Sequence, residues 1–172
     1  MEKLINFYDK ALCTAFGAGY WPWGPGTVGS AVGVLIWWLA SWELSPFELR
    51  IATLFAVVAV TVIAVPSINR LEWEWGLDPS RVVIDEVVGV WICLLAVPDY
   101  AFENDSASLL VMWMLNAFMF FRLFDIIKPL GIKYMEDLPD GWGVMADDIL
   151  AGIYGMIVMV FCFVLIEVLV YI

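Results

Sequence analysis

Long apolar runs, separated by short polar stretches, organise the chain. Five such runs are Val28 to Ser41, Ile51 to Val65, Val82 to Val97, Ser106 to Phe124 and Ile149 to Ile172. A helix needs about 20 residues to cross the hydrocarbon core of a bilayer. The second and fifth runs are read as full spans; the first, third and fourth need their polar ends to complete a crossing. The pattern therefore predicts an all-α, polytopic helical bundle of about five membrane helices, with four as the alternative. Turn residues punctuate it: Ser45-Pro46, a Pro66 that ends the second run, Gly76 to Pro79, Pro98-Asp99, and Pro139-Asp140-Gly141. Ahead of the runs, Leu4, Ile5, Tyr8, Leu12, Ala15 and Phe16 recur at helical spacing. That spacing predicts an amphipathic helix on the membrane surface. Asp9 and Lys10 interrupt any signal-peptide core there, so this segment is expected to be retained.

Composition strengthens the membrane reading. Of 172 residues, 63% are hydrophobic, against about 45–50% in soluble domains. Ten Trp and six Tyr suit membrane interfaces. The length suits a single domain, residues 1–172. A net charge of −11 argues against nucleic acid, which needs a basic patch. The three cysteines, Cys13, Cys93 and Cys162, have neither metal spacing nor a disulfide pattern, and read as small hydrophobes. With no His at all, histidine nucleophiles and bases and most zinc sites are excluded.

The short loops distribute their cations unevenly. With five spans, Lys3, Lys10, Arg70, Arg81, Arg122, Lys128 and Lys133 share one side, and Arg50 alone takes the other. Positive residues mark the cytoplasmic side. The N-terminus is thus expected in the cytoplasm and the C-terminus outside.

Four polar stretches fall on the cytoplasmic side of that topology. "RLFDIIKP" leaves the fourth run after sixteen uncharged residues, with Arg122, Asp125 and Lys128 within an arc of about 120°. A helix-end ladder of ion pairs would account for them; so would an anion gripped by Arg122 and Lys128, with Asp125 as ligand or base. "IDEVVG" puts Asp85 and Glu86 at the start of the third run. They suit a helix dipole, yet adjacent acids repel unless a cation lies nearby. "GWGVMADDILAG" carries Asp147 and Asp148, of which one is expected to cap a helix and the other to be free. "GPGTVGS" sets Gly24, Gly26, Thr27, Gly29 and Ser30 before a helix, as loops that approach phosphate do. Trp21 and Trp23 read as interfacial anchors. Carboxylates without His or Cys suit a hard cation, most simply Mg²⁺, and Mg²⁺ with Arg and Lys suits phosphate chemistry.

"GPGTVGS", "DEVVG", "RLFDIIKP" and "GVMADDILAG", in that order and at these separations, resemble the phosphatidylglycerophosphatase A family, over roughly Gly17 to Gly152. The resemblance implies an integral-membrane, Mg²⁺-dependent lipid phosphatase of the bacterial inner membrane. Its reaction would convert phosphatidylglycerol phosphate to phosphatidylglycerol and inorganic phosphate. It points to Thr27, Asp85, Glu86, Asp125 and Asp148 as catalytic, and to Gly26, Thr27, Ser30, Arg122 and Lys128 as phosphate-binding. Asp85, Glu86, Asp147 and Asp148 are the expected metal ligands. Asp140-Gly141 departs from the Gly-Gly pair that usually precedes the fifth helix. The nucleophile is either metal-activated water or the Thr27 hydroxyl, and the lack of a histidine base favours water. The expected partners are the phospholipid substrate and the bilayer; oligomeric state is left open. A small transporter or channel is the alternative, and a structural subunit with a buried charge network is a third.

Overall fold

The computed structural model describes residues 2–76, 79–103, 107–129 and 131–171. The expected turn at 77–78, the first residue of the fourth run (Ser106) and the last of the fifth (Ile172) lie outside them. Helices and the turns between them, with no strand, make up the described residues: α1 (Glu2–Cys13), a 3₁₀ turn (Ala18–Tyr20), α2 (Pro25–Ala40), α3 (Pro46–Trp75), α4 (Ile84–Leu94), α5 (Tyr100–Glu103), α6 (Ala107–Ile127), α7 (Ile132–Met135) and α8 (Gly141–Tyr171).

Three helices among the described residues are long and apolar enough to cross a membrane: Pro46–Trp75, Ser108–Ile127 and Gly141–Leu169. The second run extends well beyond its predicted ends. Ser45 caps α3, its Oγ accepting from the Glu48 N–H at 3.4 Å while Glu48 Oε2 accepts from the Ser45 N–H at 2.9 Å. Pro66 does not end the helix, which continues to Trp75. Ala64, Val65, Ile68 and Leu71 are buried on both sides of it, and packed neighbours let membrane helices tolerate an internal proline.

The third run is the opposite case. Helix α4 has 11 residues, about 16 Å of rise, short of a core of about 30 Å. Nine of its residues are buried, and it packs against α2, α3, α6 and α8. Its ends need no lipid-level satisfaction because protein encloses them. Helix α1 also differs from expectation. It stops at Cys13, leaving Ala15 and Phe16 beyond it at φ of 46° and 57°. Leu4, Ile5 and Tyr8 are exposed, while Asp9 pairs with Arg70 of α3 at 2.6 Å. The hydrogen bonds from Arg70 hold the Asp9 carboxyl below its ordinary range. Cys13 and Cys93 are fully buried, and burial pushes the Cys13 thiol up to about 12.

Close glycine contacts give the helix directions. A Cβ on Gly152 would stand 2.4 Å from the Gly89 carbonyl oxygen, and one on Gly155 2.2 Å from Cys93 Sγ. Numbers rise together, so α4 and α8 run parallel. Gly29 meets Val83 and Gly33 meets Val87, so α2 runs with them. Helix α3 returns the other way: Arg50, near its start, bonds the Val97 carbonyl at 2.9 Å and Asp99 at 2.6 Å. Helix α6 also returns, its Arg122, close to its end, lying 4.0 Å from Glu86 in the first turn of α4. The starts of α2, α4 and α8 and the ends of α3 and α6 therefore share one face. Around the bundle, Phe55, Val62, Leu115, Met119, Phe161 and Val164 are exposed, an apolar surface that lipid would cover. Trp21, Trp23, Trp73 and Trp142, near the shared face, are exposed as well, as interfacial rings are.

Candidate active site

Asp85 lies four residues before Gly89, and Asp148 four before Gly152. Because those glycines let α4 and α8 touch backbone to backbone, one turn upstream the two aspartates face each other. Glu86 joins them. Each of the three offers a carboxylate oxygen, and these oxygens lie within 4.8 Å of one another. Asp85 is 9% exposed and Asp148 3%. Asp85 Oδ1 and Glu86 Oε2 are buried with no hydrogen-bond partner among the described residues. Buried carboxylates this close repel unless a cation intervenes. An all-oxygen set in a chain without histidine fits a hard divalent ion such as Mg²⁺.

Gly26, in the first turn of α2, closes that site from the side. A Cβ there would lie 2.0 Å from Glu86 Oε1 and 3.1 Å from Arg122 Nη1. Only a glycine lets both side chains lie directly on the helix backbone. Contrary to the expected loop, "GPGTVGS" is helical from Pro25, with Gly24 as the N-cap. The start of α2 thus brings its unpaired N–H groups and positive dipole end to the same place.

Arg122 arrives from the end of α6. Its Nη1 is 2.5 Å from Asp125 Oδ2 and 4.0 Å from Glu86 Oε1. The contact with Asp125 is ionic without hydrogen-bond alignment, so Nε and Nη1 remain buried donors lacking an acceptor. Lys128, which Pro129 follows, takes φ 47° as α6 terminates. Its Nζ bonds Asp147 Oδ2 at 2.7 Å and Glu136 Oε1 at 2.5 Å. Burial works against the ammonium, but the two carboxylates outweigh it and hold its pKa above the ordinary lysine range.

These groups line one cleft of about 530 Å³. It receives Gly24, Pro25 and Gly26 of α2, Asp85 and Glu86 of α4, Arg122 and Asp125 of α6, Lys128, and Asp147 and Asp148 of α8. Most residues singled out in the sequence are therefore brought together, with three differences. Asp147 is paired with Lys128 and stands outside the carboxylate trio. Neither Asp147 nor Asp148 caps a helix, since α8 begins at Gly141. Thr27 is exposed and does not line the cleft, and Ser30 is buried with its hydroxyl donating to the Gly26 carbonyl at 2.8 Å. At the expected Gly-Gly position, Asp140 adopts φ 57°, a region that glycine favours and aspartate tolerates.

Sequence reading missed Glu72, Ser80, Glu136 and Asp140, which also line the cleft. Glu136 and Asp140 sit in a turn-rich connection with no periodicity to mark them. Glu72 belongs to a helix predicted to end seven residues earlier.

The family model described as phosphatidylglycerophosphatase A matches residues 11–163. A Bacteroides thetaiotaomicron relative named "Putative phosphatidylinositol-3-phosphatase" is 45% identical over 158 residues, which is 91% of this chain and 94% of the relative. The phosphatidylglycerophosphatase A of Haemophilus influenzae is 34% identical over 150 residues, 86% of this chain and 84% of its own. That of Escherichia coli is 31% identical over 144 residues, 83% and 76%. No solved structure matches the chain.

Proposed function

The chain belongs to the phosphatidylglycerophosphatase A family, and on that premise we propose that its cleft hydrolyses phosphatidylglycerol phosphate to phosphatidylglycerol and inorganic phosphate, with Mg²⁺ as cofactor. One observation carries the reading: three converging carboxylates, two of them with a buried unpartnered oxygen, share one cleft with the Arg122 guanidinium, whose Nε is buried without an acceptor among the described residues. The first set wants a cation and the second an anion. A phosphate and its metal supply both.

Asp85, Glu86 and Asp148 would hold the Mg²⁺. When bound, the ion supplies charge to the phosphate oxygens and acidifies water. Arg122 would present its planar guanidinium to the phosphate oxygens, a fork that suits a charge-assisted grip. Asp125, at 2.5 Å from Nη1, orients that plane, so its role is to position Arg122. The start of α2 adds N–H donors and a positive dipole end. Lys128 adds a compact charge at the rim, anchored by Asp147. Thr27 does not line the cleft, which favours water as the nucleophile.

The polar face would lie on the cytoplasmic side of the bacterial inner membrane, the side of seven of the eight cations. Helices α2 and α4, shorter than the three spanning helices, would complete a five-helix membrane bundle in which the short α4 is enclosed by protein. Helix α1 would rest at the interface, its exposed Leu4, Ile5, Phe7 and Tyr8 toward lipid. The acyl chains would stay in the bilayer while only the headgroup reaches the cleft. A charged cluster confined to one end of the bundle favours hydrolysis over transport, which needs polar groups through the membrane.

The Bacteroides relative's name supports a second substrate reading, the 3-phosphate of a phosphoinositide, also a lipid phosphomonoester. Purified protein with Mg²⁺ should release phosphate from phosphatidylglycerol phosphate faster than from phosphatidylinositol 3-phosphate in matched micelles. The reverse preference would reassign the substrate. Release from neither would refute the hydrolase reading.

A further inference from the structure

Lys128 is held by two carboxylates where one would neutralise it. Asp147, with a side chain 9% exposed, bonds it from the cleft floor, and Glu136, 43% exposed, from the rim. An exposed lysine–glutamate pair by itself adds little stability. Glu136 is nevertheless set on a rigid support. A Cβ on Gly143 would stand 2.8 Å from the Glu136 carbonyl oxygen, so the backbone there is pressed onto the first turn of α8. Ile132, just upstream, is fully buried, and just downstream the Gly141 N–H bonds Asn69 of α3 at 2.6 Å. The carboxylate therefore sits at the rim by construction, against the lysine that a phosphate entering the cleft would meet.

The surrounding membrane poses a selectivity problem for such a cleft. The substrate's terminal phosphate is a monoester, carrying close to two negative charges at neutral pH. The phosphodiesters of bulk anionic lipids, and of the product, carry one. A carboxylate also carries one. We propose that Glu136 is a specificity-determining counter-ion: it occupies Lys128 so that a dianionic monoester displaces it and a monoanionic phosphodiester does not. The inference rests on the phosphomonoesterase reading of the cleft and adds to it a means of rejecting product and bulk lipid. Glu136 does not touch the reacting atoms in this role; it sets which headgroup wins Lys128.

The test is Glu136→Gln, which keeps an acceptor for Lys128 and removes the charge. Inhibition of phosphatidylglycerol phosphate turnover is titrated with vesicles of phosphatidylglycerol, against neutral phosphatidylcholine vesicles. The variant's inhibition constant for phosphatidylglycerol should fall about fivefold, on the scale of one part-exposed ion pair, with kcat within twofold of the parent. Asp137→Asn, an exposed neighbour that does not line the cleft, controls for net charge and should leave that constant unchanged. An unchanged constant in Glu136→Gln, or an equal fall in both variants, overturns the proposal. Circular dichroism and thermal unfolding show whether the variant is folded; if it is not, Glu136→Ala, which removes both the charge and the acceptor, should show the same fall, and its absence also overturns the proposal. If the parent protein releases no phosphate at all, it is the phosphomonoesterase reading that fails instead.

Discussion

Gly26→Ala separates site from fold. Alanine is favoured over glycine by about 1 kcal/mol in a helix interior, and Gly26 lies in the first turn, so propensity alone makes the change neutral to mildly stabilising. The new methyl, however, would lie 2.0 Å from Glu86 Oε1, against 3.4 Å for ordinary contact. The carboxylate must retreat by about 1.4 Å. It is the end of a flexible side chain, so the fold can allow this cheaply. The metal cannot: Mg²⁺ holds its ligands at about 2.0–2.1 Å and tolerates little error. Arg122 Nη1, at 3.1 Å from the same methyl, must shift as well. A misplacement of about 1 Å costs about 100-fold in rate, and that is the loss expected in kcat/KM. Two assays check it: phosphate release from phosphatidylglycerol phosphate, and the rise in melting temperature on adding Mg²⁺. The variant should unfold within a few degrees of the parent without metal, and should lose most of its Mg²⁺-induced rise. Parental activity and a parental Mg²⁺ response in Gly26→Ala would refute the assignment of Glu86 to the metal and the closeness of α2 to the site.

Gly152→Ala should behave oppositely, because its methyl would strike the Gly89 carbonyl at 2.4 Å and backbone cannot step aside; a loss of about 1–3 kcal/mol in denaturant unfolding is expected. Asp148→Asn should abolish turnover yet raise the metal-free melting temperature, since it relieves repulsion among three carboxylates within 4.8 Å; a lower value, measured in chelator, would argue against that crowding. Acid should loosen α1 from α3: Asp9 has a depressed folded-state pKa, so its contribution is complete above the unfolded value of about 3.9 and lost as pH falls through the folded one. Hydrogen exchange of residues 3–13 should rise below about pH 4 in the parent and be high throughout in Asp9→Asn. A C-terminal tag should be labelled only from outside intact cells, and labelling only from the cytoplasmic side would reverse the topology.

How much of this was legible before any coordinates depended on the kind of signal. Burial in a bilayer leaves a compositional mark, so the apolar runs and the all-α class could be read directly. Charges next to long apolar segments are costly, so Arg122, Asp125, Lys128 and the paired acids stood out by position alone. Pairing could not be read that way. Asp147 and Asp148 are neighbours in sequence, but 100° apart on a helix one meets Lys128 and the other meets Asp85 and Glu86. Helix ends were also hidden. Pro66 looked like a stop because a lone helix would break there, whereas packing on both sides carries α3 to Trp75 and so brings Glu72 to the cleft. The motif named Thr27 and Ser30 as phosphate ligands; their surroundings could not be read from it, and with a helix starting at Pro25, Thr27 is exposed outside the cleft lining while the Ser30 hydroxyl donates to the Gly26 carbonyl. Residue type and hydrophobic period are local properties, which the sequence carries by itself. Which carboxylate faces which cation depends on where parallel helices touch, and here the Gly89–Gly152 and Gly26–Glu86 contacts, between residues 63 and 60 positions apart, decide it.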